Sequence, residues 1–400
     1  MLKKIYSLIG LFIMMILLSS SNKSKGTAHE DYIKKREQWV SETFDALSEE
    51  EQIAQMFMVA AYSNKTETHY LKIDKLVRDY KIGGLIFFQG GPMRESILTN
   101  RYQKLAKTPL LIGFDGEWGL AMRLDSTMKF PKQMTLGAIQ NDGLIVDMGE
   151  AIGEQCKRIG IHVNFAPVVD VNVNPKNPII GVRSFGEQKE LVARKGIAYM
   201  KGLQNVHVMA NAKHFPGHGD TESDSHHSLP VIHHDMARID SVELYPFKQL
   251  FADSLASVMV AHLQIPAIDD RDNVATTLSP KAVTKLLKVE MNFKGLIFTD
   301  ALNMKGVSAY YKPGEVDLLA FKAGNDVLLF AEDVPRAISL FKEGIEKGEI
   351  KVKDIEERVK KILRAKYWVG LNDYKAIDYK NLQADLHKEK DEALRYKLFE

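Results

Sequence analysis

Residues 211 to 230 read NAKHFPGHGDTESDSHHSLP and bring His214, His218, His226 and His227 together with Lys213, Asp220, Glu222 and Asp224. Ionisable groups at that density suit a metal, a proton relay or an anion site. The Phe215-Pro216-Gly217 break forces a turn after an apolar run that ends in Lys213 and His214, so the segment from Gly217 to Leu229 reads as a long loop. In that loop Asp224 and His226 stand two apart. In irregular backbone this spacing lets a carboxylate hold the neighbouring imidazole, fix its tautomer and raise its basicity. The pair has the form of the orienting half of a catalytic triad. Zinc is disfavoured, because Pro216 and Gly217 interrupt any helix between His214 and His218 and the His-Glu-x-x-His pattern is absent. His233 and His234 come after Pro230 and read as solvated or capping residues.

A second cluster, IFTDALNMKG, places Asp300 at the end of another apolar run. Alone, it is a nucleophile, a base or a ligand for a hydroxyl. A histidine acid/base and an aspartate nucleophile can together run a two-step displacement. Retaining glycoside hydrolysis takes that course, though its usual pair is two carboxylates.

Both clusters need elements to carry them. Short apolar runs start near Met56 and cover 83–88, 109–115, 163–170, 208–215, 257–262, 295–300 and 326–330. Most are continuously apolar, as strands covered on both faces are. Helical stretches such as 188–203, 241–253 and 333–347 separate them. Eight strands alternating with helices predict a closed (β/α)8 barrel. A doubly wound open sheet is the alternative, but no Gly-x-Gly-x-x-Gly comes after the first run. In the barrel, Asp115, Asp170, Lys213, His214, His262 and Asp300 stand at strand C-terminal ends and should share one mouth. Turn formation alone does not explain a lysine and histidines there.

The 400 residues suit one large or two ordinary domains, and 45% are apolar. Lys plus Arg total 54 against 52 for Asp plus Glu, which gives no basic footprint for nucleic acid. Cys156 is the single cysteine, so disulfide and thiolate clusters within the chain are excluded, and its helical setting reads as a buried small hydrophobe. Lys3 and Lys4, an apolar run to Leu18 and a serine-rich stretch read as an export signal over 1–21, cleaved near Ser21 or else kept as an uncleaved anchor, with a periplasmic or secreted destination. That run is short for a membrane span. Residues 29–370 form the expected barrel domain. The apolar stripe Val352, Ile355, Val359, Ile362 and Leu363 closes it, and 371–400 read as a polar helical extension, either a supporting arm or a lead into more chain.

KHFPGHGDTESDSHHSLP resembles the signature of family 3 glycoside hydrolases, in the β-N-acetylglucosaminidase branch. EEQIAQMFMV, IGGLIFFQGGP, LIGFDGEWGLAMRL, VNFAPVVDVNVNPKNPIIGVRSFG, VMVAHLQIP, IFTDALNMKG and AGNDVLL add to it, in the family's order, over residues 48 to 370. The resemblance implies a (β/α)8-type barrel, with Asp300 as nucleophile, His226 as acid/base on a loop and Asp224 as its partner. It further implies that Lys213, His214, Arg183 and Asp115 hold sugar hydroxyls. Those types suit the task, since carboxylates accept from vicinal hydroxyls while Lys and Arg donate. It implies an exo-acting, retaining enzyme that removes terminal β-linked GlcNAc from cell-wall fragments or chitooligosaccharides, without cofactor or metal. Other family specificities such as β-glucosidase, phosphorolysis, and a non-catalytic glycan-binding barrel are the alternatives. Two departures stand out. DGEWG replaces the family's common Asp-Gln-Glu-Gly-Gly, which leaves Trp118 either a stacking face or a packing residue. TDAL replaces Ser-Asp-Asp-Leu and leaves an apolar neighbour after Asp300.

Overall fold

The computed structural model describes residues 29–223 and 229–400, and in it each of the eight apolar runs forms a parallel strand. The strands are β1 (Phe57–Ala61), β2 (Gly84–Phe87), β3 (Leu111–Phe114), β4 (Val163–Asn164), β5 (Met209–Phe215), β6 (Ser257–Val260), β7 (Leu296–Thr299) and β8 (Leu328–Leu329). Neighbours pair in sequence order and β8 returns to β1. The Thr299 N–H donates to the Val327 carbonyl (3.1 Å) and the Val327 N–H to that of Ile297 (3.0 Å), which closes β7 onto β8. The chain is therefore a (β/α)8 barrel, in which the two end strands of the sheet meet rather than standing as the free edges of an open sheet.

Strand β4 is much shorter than the apolar run 163–170 predicts. Pro167 has no N–H to give the ladder, so pairing lapses and returns only as a bridge between Val168 and Lys213. The barrel interior is filled by rings: Phe165 meets Phe298 edge-on at 5.3 Å between centroids. Gly113 on β3 makes room for this, because a Cβ there would lie 2.8 Å from the Phe165 ring.

The helices keep the expected rhythm. Ser48 and Glu51 form the capping box of helix Glu49–Ala54. The stretch expected as one helix over 241–253 starts as a π turn, Ile239–Glu243, and becomes α only at Tyr245–Ala252, where Pro246 sits in the first turn. Helix Val352–Trp368 buries Ile355, Val359, Ile362 and Leu363 of the predicted stripe, while Val352 at its first position is exposed. The helix at 29–45 is tied to it by Arg364, whose guanidinium holds Glu37 at 2.7 and 3.0 Å.

Residues 371–400 differ from the expected helical arm. Residues 374–380 run without helix, and short helices Leu382–Asp385 and Glu389–Lys397 come after them. Arg158 holds this strap through Asp385 (2.7 Å) and the carbonyls of Asp378 (2.7 Å) and Lys380 (2.8 Å). Leu382, Leu386 and Leu398 are buried beneath it. The expected export signal lies outside the described residues. No helix among those described is long and apolar enough to cross a membrane.

Candidate active site

Tyr62, Phe88, Asp115, Asp300 and Phe330 each stand one residue past a strand, after β1, β2, β3, β7 and β8. There the strands end, with the N–H groups of Phe88, Asp300 and Phe330 still held by the neighbouring strand, and the side chains line the barrel mouth. They line a cavity of about 550 Å³ together with Lys213 and His214 from the end of β5 and Arg183 from the loop after β4.

The cavity wall carries a chain of ion pairs. Lys213 Nζ donates to Asp115 Oδ1 (2.8 Å) and lies 2.9 Å from Glu117 Oε1. Arg183 grips Glu117 with Nη2 on Oε1 (2.7 Å) and Nε on Oε2 (3.0 Å). Arg123 donates to Asp115 Oδ2 (2.7 Å) while its guanidinium lies 3.8 Å from the Phe88 ring centre. Burial works against ionised carboxyls here, but Lys213 and Arg123 hold Asp115 well below the usual carboxylate range, and Arg183 and Lys213 hold Glu117 at about 2. Burial likewise disfavours the Arg183 charge, and Glu117 more than offsets it.

A buried aspartate underlies the histidines. His214 Nδ1 lies 2.7 Å from Asp170 Oδ2 and donates to it, which leaves Nε2 facing Arg183 Nη2 at 3.4 Å. Asp170 Oδ1 also accepts from the N–H groups of His214 (3.1 Å) and His218 (2.7 Å). The His218 ring is pushed down to about 4 by burial and by His214, so it is neutral near pH 7 and pairs with the Thr221 hydroxyl (2.8 Å). Gly219 lies flat on the chain behind, since a Cβ there would meet the Val171 carbonyl oxygen at 1.9 Å.

Across the cavity, Asp300 Oδ1 accepts from the Ala301 N–H at 2.8 Å. Burial alone would raise its pKa. His262, His214, that N–H and Lys213 outweigh burial and keep the carboxyl below the ordinary aspartate value. His262 is fully buried, with Nε2 on the Ala301 carbonyl (3.0 Å) and Nδ1 on Thr277 Oγ1 (2.8 Å). The site thus sets an ionised carboxylate against a wall of charged donors and acceptors. That surface suits a polyhydroxylated ligand, because charge-assisted bonds to hydroxyls are strong where water is excluded.

Asp115, Lys213, His214 and Asp300 share this one cavity, as expected of strand-end residues, and Arg183 joins them from the loop after β4. Asp170 and His262 lie beneath it as supports. Asp224 and His226 lie outside the described residues. Lys213 is engaged with Asp115 and Glu117, so it does not serve simply as a structural counter-ion of Asp300. His234 differs from its expected solvated or capping role: its Nε2 lies 2.6 Å from Asp220 Oδ2. Trp118 is not part of the lining, and Lys132 Nζ sits 5.1 Å from its ring centre. Glu117 and Arg123 are site residues that sequence pattern does not single out. Their spacing to Asp115 is visible, at two and eight residues, but only the turn after β3 brings all three onto one wall. Among the described residues no group of three or more His, Cys, Asp or Glu could hold a metal ion.

The model of the glycosyl hydrolase family 3 N-terminal domain matches residues 48–365. A β-hexosaminidase A from Pseudoalteromonas piscicida is 37% identical over 281 residues, 64% of this chain and 47% of that protein. A β-N-acetylglucosaminidase/β-glucosidase from Cellulomonas fimi is 28% identical over 84% of this chain and 60% of its own length. The chain thus spans about half to three-fifths of the length of these two relatives. Among solved structures, the family 3 β-N-acetylglucosaminidase of Paenibacillus sp. str. FPU-7 superposes with a TM-score of 0.81 at 33% identity, covering 88% of this chain and 68% of that one. This chain belongs to glycosyl hydrolase family 3, in its β-N-acetylglucosaminidase branch.

Proposed function

We propose that the protein is an exo-acting, retaining β-N-acetylglucosaminidase working on terminal β-linked GlcNAc of cell-wall fragments or chitooligosaccharides. The observation that carries this reading is a single cavity with the Asp115–Lys213–Glu117–Arg183 chain on one wall and the Asp300 carboxylate, ionised at neutral pH, on another. Asp115, Arg183, Lys213 and His214 hold the hydroxyls of the terminal sugar. Asp300 attacks the anomeric carbon and forms a glycosyl ester. His226, oriented by Asp224, protonates the departing oxygen and then takes a proton from the water that releases the sugar. The basic, apolar N-terminal segment supports export as the route to such substrates.

The test is hydrolysis of 4-nitrophenyl β-GlcNAc with the anomer of the first product tracked by NMR. The β-anomer is expected, and an α-anomer as first product overturns the two-step course. The dual name of the Cellulomonas relative supports a second reading, in which β-glucosides are also cleaved. Parallel assays on the aryl β-glucoside separate the two, and added inorganic phosphate reveals any glycosyl phosphate.

A further inference from the structure

The chain on either side of Asp224 and His226 is pinned by groups that do not line the cavity. On the N-terminal side, the Asn177 amide donates to the His218 carbonyl (2.8 Å) and to Thr221 Oγ1 (3.2 Å), while Asp170 Oδ1 accepts from the His218 N–H (2.7 Å). On the C-terminal side, the Gln264 N–H donates to the Pro230 carbonyl (2.8 Å) and the Ile232 N–H to that of Gln264 (2.9 Å). The first stem is thus anchored to the loop after β4 and the second to the loop after β6.

One contact joins the two stems directly. His234 Nε2 donates to Asp220 Oδ2 at 2.6 Å, across a sequence separation of 14. Arg238 Nη2 stands 3.6 Å from the same Asp220 oxygen and 3.1 Å from Glu243 Oε1. Glu243, at the end of the π turn Ile239–Glu243, backs the start of the first stem: a Cβ on Gly217, whose φ is 139°, would lie 2.8 Å from the Glu243 Cβ. A chain of charged groups, His234–Asp220–Arg238–Glu243, therefore ties stem to stem and both to the helix beneath.

None of these four lines the cavity, so none holds the terminal sugar. A partly exposed pair such as Asp220–His234 adds little to global stability. Its effect on the chain between the stems is different. A tie across the ends removes every arrangement in which they separate, so fewer conformations of the span compete. A proton donor needs that restriction, because a displacement of about 1 Å can cost about a hundredfold in rate.

We propose that Asp220 and His234 are positioning residues for the proton transfer: they clamp the ends of the span that carries Asp224 and His226, and so set where His226 can deliver its proton. The proposal rests on the reading of His226 as acid/base and adds what fixes its reach.

The test is a leaving-group comparison on the full chain. 2,4-Dinitrophenyl β-GlcNAc loses a stable phenolate and needs no proton, whereas 4-methylphenyl β-GlcNAc needs one. Asp220 and His234 are partly exposed, so their variants should fold like the parent. In His234→Ala and in Asp220→Ala, kcat/KM for the 4-methylphenyl glycoside should fall about ten- to thirtyfold, and that for the dinitrophenyl glycoside less than about twofold. The two losses should not add in the double variant, because each substitution breaks the same contact. His234→Gln, whose amide puts a donor near the place of Nε2, should recover most of the loss. His226→Ala is the control and should show the same leaving-group pattern more strongly. Equal losses on both glycosides would reduce the pair to a structural role and overturn the clamp, as would an unchanged 4-methylphenyl rate. A His226→Ala variant with no leaving-group dependence overturns the acid/base reading of His226, and the clamp with it. A parent inactive on both glycosides overturns the glycosidase reading itself.

Discussion

Two carboxylates in the cavity make separable predictions at the level of the single residue. Asp300 touches the reacting carbon in the proposed course, so Asp300→Asn should lower kcat about a thousandfold or more with sugar binding retained, read by turnover and by isothermal titration with GlcNAc. Near-parental turnover would remove Asp300 from that role. Because its carboxyl lies below the ordinary aspartate value, the acid limb of kcat/KM assigned to it should fall below about pH 4. Glu117 acts differently, by holding Arg183 and Lys213 in place. Glu117→Gln leaves both cations without their shared counter-ion and should cost about ten- to a hundredfold in kcat/KM. The Glu117 pKa is lowered in the fold, so its contribution to stability is present above about pH 4.5 and lost as pH falls towards about 2. Parent and variant should therefore converge in urea midpoint at low pH.

At the level of the element, helix Pro92–Leu105 carries an unusual load. Glu95 is fully buried, neither of its oxygens has a protein partner, and burial holds its pKa well above the ordinary glutamate value. The same burial, with Glu95 nearby, pushes up the thiol of Cys156, which is the buried, unpaired cysteine the sequence suggested. For an acid raised in the folded state, the associated stability is complete below the unfolded value near pH 4.5 and declines as pH rises towards the folded one. Glu95→Met should thus stabilise the protein by about 1–3 kcal/mol at about pH 8 and by less at about pH 5, measured as urea midpoints. A larger gain at the lower pH would mean that the carboxyl is ionised in the fold.

Over the whole molecule, the strap 371–400 binds chain end to barrel without lining the active-site cavity. It packs on helix Asp142–Arg158 and on helix Pro92–Leu105, where Asn100 holds Ile377 and Tyr379. Arg158 makes three of its polar contacts, so Arg158→Ala should cost about 1–2 kcal/mol and lower Tm by several degrees. Turnover per folded molecule should not change, since no strap residue lines the cavity. A fall in kcat at a temperature where the variant is fully folded would show coupling between strap and mouth.

The barrel was legible because its strands are buried on both faces and its helices on one, so apolar runs and amphipathic stretches alternate visibly along the chain. Asp115, Lys213, His214 and Asp300 were legible for the same reason, being polar groups where an apolar run stops. Local pattern says nothing of which distant groups meet across the mouth. Glu117 lies 66 residues from Arg183, and only closure of β3 against β4 and β5 brings the two within 2.7 Å. The same holds for Phe330 and Tyr62, set on one wall by the pairing of β8 with β1. Sequence alone determined the fold and the kinds of group at its mouth. The pairings that set their charge were decided by tertiary structure, because electrostatics depends on distance in space and not on separation along the chain.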